Sequence, residues 1–123
     1  MKKQGYVYIM SNKNRTTLYI GVTNNLERRV LEHKAGIGST FTKRYQLFDL
    51  MYWERVYGMS EAIAREKQLK NWHKVWKWNL IKEDNPKLDD LAVEWFTEEE
   101  IKEARAQLAD SETRETSSGQ ASE

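Results

Sequence analysis

Tyr6-Val7-Tyr8-Ile9-Met10 and Leu18-Tyr19-Ile20-Gly21-Val22, separated by the polar run Ser11 to Thr17, decide how this chain is read. Both segments are aromatic and β-branched, which is the composition of strands. The link between them is turn-forming around Asn12-Lys13-Asn14, so the two segments predict a hairpin. Gly21 is costly inside a strand, because it adds no side chain and loses the most backbone entropy. It marks either a bulge or strand end, or a backbone that something approaches closely.

Working outward, Asn24 or Asn25 can cap a helix that begins near Leu26, carries Glu27 in its first turn and ends near Ala35-Gly36. Gly36-Ile37-Gly38-Ser39-Thr40 reads as a flexible loop, followed by the basic pair Lys43-Arg44. Leu47 to Val56 predicts a third strand. Ser60 reads as the cap of a helix from Glu61 to about Trp72, and a further helical stretch covers roughly Lys74 to Lys82 before Pro86 breaks it. Thr97-Glu98-Glu99-Glu100 has capping-box spacing and opens an acidic helix to about Ala109. From Asp110 the chain has no aromatic and no branched aliphatic residue, the composition of a disordered tail. The expected organisation is one domain over 1–96, an acidic helix over 97–109 and a tail over 110–123.

A chain of 123 residues suits one small core, which five Trp, six Tyr and three Phe can fill. The absence of Cys excludes disulfides, cysteine-based zinc sites and thiol nucleophiles, and it fits a reducing, cytoplasmic setting. No apolar run approaches the roughly 20 residues of a membrane span, and Met1-Lys2-Lys3 leads into no signal-peptide core, so no membrane association is expected. The net charge of +1 conceals a strong asymmetry. Residues 1–82 hold 16 Lys and Arg against 6 Asp and Glu, whereas residues 83–123 hold 4 against 13. A body so basic attracts polyanions, since each cation placed near a phosphate releases condensed counterions.

Several side chains in that body can carry chemistry. Ala62, Glu66, Leu69 and His73 share one helical face, with Ile63 beside it, so Glu66 points inward. A buried carboxylate needs a cation. Either a Lys or Arg of the basic body supplies it, or a divalent metal does, since Mg²⁺ typically takes only one or two protein carboxylates beside water and phosphate oxygens. Arg29 and His33 share a face of the first helix. Arg29 can clamp a phosphate or pair with Glu32 or Asp49, and His33 can move a proton or hydrogen-bond at the core edge. Lys67 to Trp78 interleaves basic and aromatic residues. Trp72 and Trp76 read as core, whereas Lys70 and Lys74 can reach phosphates. Gly36-x-Gly38 lacks the frame of a dinucleotide loop, no Walker-type loop is present, and two His without Cys make no structural zinc site.

Taken in order, Tyr6-Val7-Tyr8, Tyr19-Ile20-Gly21, Arg29 and Ser60-Glu61-Ala62…Glu66 resemble the GIY-YIG nuclease family, in particular its small single-domain bacterial members, over about Gly5 to Trp78. The resemblance implies an α+β fold, a three-stranded antiparallel sheet flanked by helices, and a metal-dependent endonuclease acting on DNA, with RNA not excluded. It implies phenols of Tyr8 and Tyr19 at the scissile phosphate, with Tyr19 activating or orienting the attacking water. It implies Arg29 as the catalytic arginine, His33 as a histidine found in many members, and Glu66 as the carboxylate that holds Mg²⁺ or Mn²⁺. Asn79 matches an asparagine near the end of the domain in some members. Two departures stand out: Tyr6 occupies the first motif's glycine place, and Val22 stands where some members carry a lysine. Lys43 and Arg44 are then candidate phosphate contacts. The rival expectation is a non-catalytic nucleic-acid-binding module of the same fold, and the acidic segment offers a surface to a protein partner.

Overall fold

The computed structural model describes residues 4–112, and the side chains of residues 4–107. Its order is β1 (Gln4–Ser11), β2 (Leu18–Thr23), α1 (Leu26–Lys34), α2 (Thr40–Arg44), β3 (Asp49–Tyr57), α3 (Met59–Lys70), α4 (Lys74–Asp84) and α5 (Glu98–Glu112). The three strands form one antiparallel sheet in the order β2-β1-β3, as expected. β1 lies in the middle because it is apolar on both faces. Val7 and Ile9 enter one core with Ile20, Ala62, Leu69 and Ile81. Tyr8 and Met10 enter the other, with Tyr19, Leu26, Val30 and Ala92. Thus α3 covers one sheet face and α1 the other. Between Ile9 and Met10 the β1–β3 register slips by one residue, a bulge that turns Met51 and Tyr52 into the same core.

The helix ends follow local chemistry. Asn25 caps α1, its side chain accepting from the Arg28 N–H at 3.1 Å. The capping box at α5 forms as read: Thr97 N–H donates to Glu100 Oε1 at 2.8 Å and Glu100 N–H to Thr97 Oγ1 at 3.1 Å. Helix α5 continues past Ala109 to Glu112, and the rest of the predicted tail lies outside the described residues.

Four local expectations are corrected. The loop expected over Gly36 to Thr40 is cut short, because Ser39 accepts from the Thr42 N–H and starts the short helix α2. Helix α3 starts at Met59 after Gly58, with no side-chain cap, and the Ser60 hydroxyl turns to Glu61 instead. Ile63 is exposed, so the buried face of α3 is Ala62, Glu66 and Leu69 alone. His73 leaves that face altogether, because the backbone breaks at Asn71–His73 before α4.

The segment after α4 is tied to the sheet. Asn85 Nδ2 donates to the Met51 and Asp89 carbonyls. Asp90 accepts from Leu50 N–H and pairs with Lys34 at 2.6 Å. Among the described residues no helix is long and apolar enough to cross a membrane.

Candidate active site

Strand register builds the site. Tyr8 faces Gly21 across β1 and β2, and Met10 faces Tyr19, so both phenols and the glycine lie on the α1 side of the sheet. A Cβ at residue 21 would sit 2.5 Å from Tyr8 Cζ and Oη. Gly21 is therefore neither a bulge nor a strand end. It is the gap through which the Tyr8 ring passes, and the close approach comes from within the protein.

From α1, Arg29 and His33 close over that gap. Tyr8 Oη lies 2.8 Å from His33 Nε2, and Arg29 Nε donates to the same oxygen at 3.3 Å. The rings of Tyr8, Tyr19 and His33 form a triangle, with centroids 5.4–6.3 Å apart. Phe41 of α2 stacks on Tyr19 at 6.2 Å. Arg29 also pairs with Glu32 at 2.8 Å, whereas Asp49, its other candidate partner, is taken by Arg15. On the remaining side of the imidazole, His33 Nδ1 lies 3.1 Å from Thr42 Oγ1.

Burial sets the protonation of this group. Tyr8 and His33 are both 0% exposed. Burial pushes the Tyr8 phenol above its usual value, against the pull of Arg29, so it stays protonated. Burial, aided by the Arg29 charge, pushes His33 down to about 3. His33 is thus a neutral imidazole near pH 7, and its hydrogen-bonded phenol is Tyr8 rather than Tyr19. Burial alone would weaken the Arg29 charge, but Tyr8 and Glu32 outweigh it and the guanidinium is held more firmly protonated than usual.

Glu66 arrives from the other side of the sheet, on α3. It is 6% exposed, and Oε2 pairs with Lys70 Nζ at 2.8 Å. The salt bridge weighed from the sequence therefore exists, and it engages a lysine considered as a phosphate contact. Among the described residues no three His, Cys, Asp or Glu side chains gather as a metal cluster. Glu66 still fits a single-carboxylate site, because the partner it has among the described residues is the end of a flexible lysine on its own helix.

The remaining candidates scatter. Lys43 and Arg44 are exposed on α2, and Lys74 Nζ donates to the Thr16 carbonyl at 2.8 Å. Trp72 packs against the core, whereas Trp76 is 51% exposed. Asn79, on α4, lines a cleft with Trp72, Trp76 and Leu80. Val22 pairs with Val7 and packs on the α3 side. Thr42 and Ser39 were missed by sequence reading, as was the aromatic cleft of about 300 Å³ that Tyr6, Trp53 and Trp95 line with the start of α1.

A small α+β domain thus gathers two phenols, an arginine and an imidazole on one sheet face. Similarity to known proteins gives that domain its family. A family model described as the GIY-YIG catalytic domain matches residues 4–79. A UPF0213 protein of Natronomonas pharaonis is 37% identical over 84 residues, covering 68% of this chain and 98% of that protein. One from Staphylococcus haemolyticus is 38% identical over 78 residues, covering 63% and 94%. One from Syntrophus aciditrophicus is 38% identical over 82 residues, covering 66% and 93%. No solved structure matches the chain. The chain belongs to the GIY-YIG family, whose domain implies a nucleic-acid substrate.

Proposed function

We propose that this protein is a divalent-metal-dependent endonuclease that hydrolyses DNA phosphodiester bonds, selecting by nucleic-acid structure rather than base sequence. The observation that carries this reading is the convergence of Tyr8, Tyr19, Arg29 and His33 from two strands and one helix onto one sheet face. Arg29 opposes the charge that builds on the phosphate, where a pre-set donor is worth most. Tyr19 orients the attacking water through its phenolic oxygen, and takes the water's proton once its own has been given up to solvent. Tyr8 holds Arg29 in place through its phenolic oxygen, and His33 accepts the Tyr8 proton in a hydrogen bond. Glu66 would hold Mg²⁺ or Mn²⁺, which when bound supplies positive charge to the phosphate and its leaving oxygen. Lys43 and Arg44 contact phosphates, which position a nucleic acid without reading its bases. RNA offers the same linkage and belongs in the same assay. The lack of Cys fits a cytoplasmic setting.

The test is single-turnover cleavage of a branched oligonucleotide by Arg29→Ala and Tyr19→Phe. Arg29→Ala is expected to lose about 10²–10³-fold in rate, the cost of removing one pre-set donor from a transition state. Full activity in Tyr19→Phe would remove Tyr19 from the role of base.

One observation favours the rival reading, a nucleic-acid-binding module without catalysis. Lys70 already neutralises Glu66, and Val22 supplies no second cation on that side. DNA binding with no cleavage by the wild type under any divalent ion would decide for it.

A further inference from the structure

We propose that Thr42, held by Ser39, is a positioning residue: it sets His33 as the Nδ1–H imidazole, which directs the Tyr8 proton inward and the Tyr8 lone pairs toward Arg29. The catalytic part of this inference rests on the nuclease reading above. The tautomer does not.

The hydroxyls of Tyr8, Ser39 and Thr42 share their protons with the His33 imidazole in a buried cluster. Thr42 Oγ1 has one hydrogen, and three acceptors stand within its reach: the Ser39 carbonyl at 3.2 Å, Ser39 Oγ at 3.0 Å and His33 Nδ1 at 3.1 Å. Directed to the Ser39 carbonyl, that hydrogen leaves Oγ1 to accept from Ser39 Oγ, while Ser39 Oγ itself accepts from the Thr42 N–H at 3.1 Å. In that arrangement Thr42 accepts at the 3.1 Å contact with His33 Nδ1, and Nδ1 carries the hydrogen. That leaves Nε2 bare, and it accepts from Tyr8 Oη at 2.8 Å. Tyr8 Oη in turn accepts from Arg29 Nε–H. Every donor in the chain from Arg29 to the Ser39 carbonyl has one acceptor.

The opposite tautomer fails at the other end. If Nε2 carried the hydrogen, Tyr8 Oη would accept from both His33 and Arg29, and its own proton would have no acceptor among the described residues in a fully buried place. Leaving such a donor unmet costs about 1–3 kcal/mol. A protonated His33 has the same defect and adds a buried charge beside Arg29. The Tyr8 end of the chain thus selects the imidazole, and Thr42 Oγ1 supplies the acceptor that its Nδ1–H needs.

The 36–44 segment is shaped for this contact. A Cβ on Gly38 would collide with His33 Nδ1, so only glycine lets the backbone pass there. Ser39 then caps α2 and presents Thr42 three residues later, against the imidazole. What reads as a flexible glycine loop is the holder of the histidine.

Long-range ¹H–¹⁵N spectra of the ring nitrogens test the inference directly. The chain has only two histidines, and His73→Asn assigns the signals. The expected wild-type result is a protonated Nδ1 and a bare Nε2 for His33, unchanged between pH 8 and 5. An Nε2–H tautomer would overturn the proposal without any variant being made. Thr42→Val should mix the tautomers and lower single-turnover kcat by about a hundred-fold, the scale of a small misplacement of a reacting group. DNA affinity should stay within about twofold, and Thr42→Ser should restore both tautomer and rate. Thr42→Val that alters neither tautomer nor rate would also overturn it. If the wild type cuts no nucleic acid, the nuclease reading fails, and the wild-type tautomer still decides the inference.

Discussion

Gly21 shows how much one residue can carry at the atomic scale. Its missing side chain is the space that Tyr8 fills, so Gly21→Ala must displace a buried aromatic ring or bend β2. Overpacking of this kind typically costs about 1–3 kcal/mol. The expected result is a urea midpoint lowered accordingly, with cleavage lost more steeply than stability, because Arg29 leans on the displaced phenol. His33 makes a second prediction at this scale. Its folded pKa of about 3 lies below the ordinary 6.5, so the unfolded chain binds the extra proton between those values. Stability from this group is complete above pH 6.5 and is lost as pH falls toward 3. Between pH 6 and 5 the loss should reach about 1 kcal/mol per pH unit, and His33→Asn should flatten that slope. Urea titrations at a series of pH values measure it. The phenols, Arg29, His33 and Glu66 were legible in the sequence, through motif order and helical spacing. Thr42 and Ser39 were not, because a hydroxyl becomes a functional partner only when tertiary packing brings an imidazole to it. The one local signal was Ser39 three residues before Thr42, a cap spacing hidden behind two glycines.

At the scale of elements, strands and helix starts with strong local chemistry were readable, as Asn25 at α1 and Thr97 with Glu100 at α5 show. Interruptions were harder. Lys70 and Lys74, like Trp72 and Trp76, keep helical spacing across a break at Asn71–His73, and periodicity alone extends through it. The break is set by packing: Trp72 turns into the α3-side core while Trp76 stays out. Helix α5 rests on α1 through buried Ala104, and Arg105 Nε donates to the Ala35 carbonyl at 3.0 Å. That hydrogen bond satisfies the carbonyl of the α1 C-cap, two residues after His33. Deleting residues 97–123 should therefore cost a degree of stability on the order of 1 kcal/mol while leaving metal-dependent cleavage in place. Melting and cleavage of the truncated chain check this. Loss of cleavage would make α5 part of the working nuclease, and loss of a captured protein alone would assign the acidic helix to a partner.

Across the whole molecule, the central question is where the basic excess goes. Among the described residues, acids of the basic body are held in ion pairs: Glu32 with Arg29, Asp49 with Arg15, Glu54 with Arg65 and Glu66 with Lys70. The surplus cations, Lys43 and Arg44 among them, are thus left for a polyanion. Lys43→Ala with Arg44→Ala should weaken binding to all duplexes alike and reduce the salt slope by about 1–2, the counterions two phosphate contacts release. Binding isotherms across a salt series measure that slope, and an unchanged slope would move the DNA path off α2. The most direct test of the whole account is cleavage of supercoiled plasmid and a branched oligonucleotide with Mg²⁺, Mn²⁺ or EDTA, comparing wild type with Glu66→Ala. The account predicts cutting that requires the metal and disappears in Glu66→Ala while DNA binding persists. Wild-type binding without cutting, or cutting that survives both EDTA and the loss of Glu66, would contradict it.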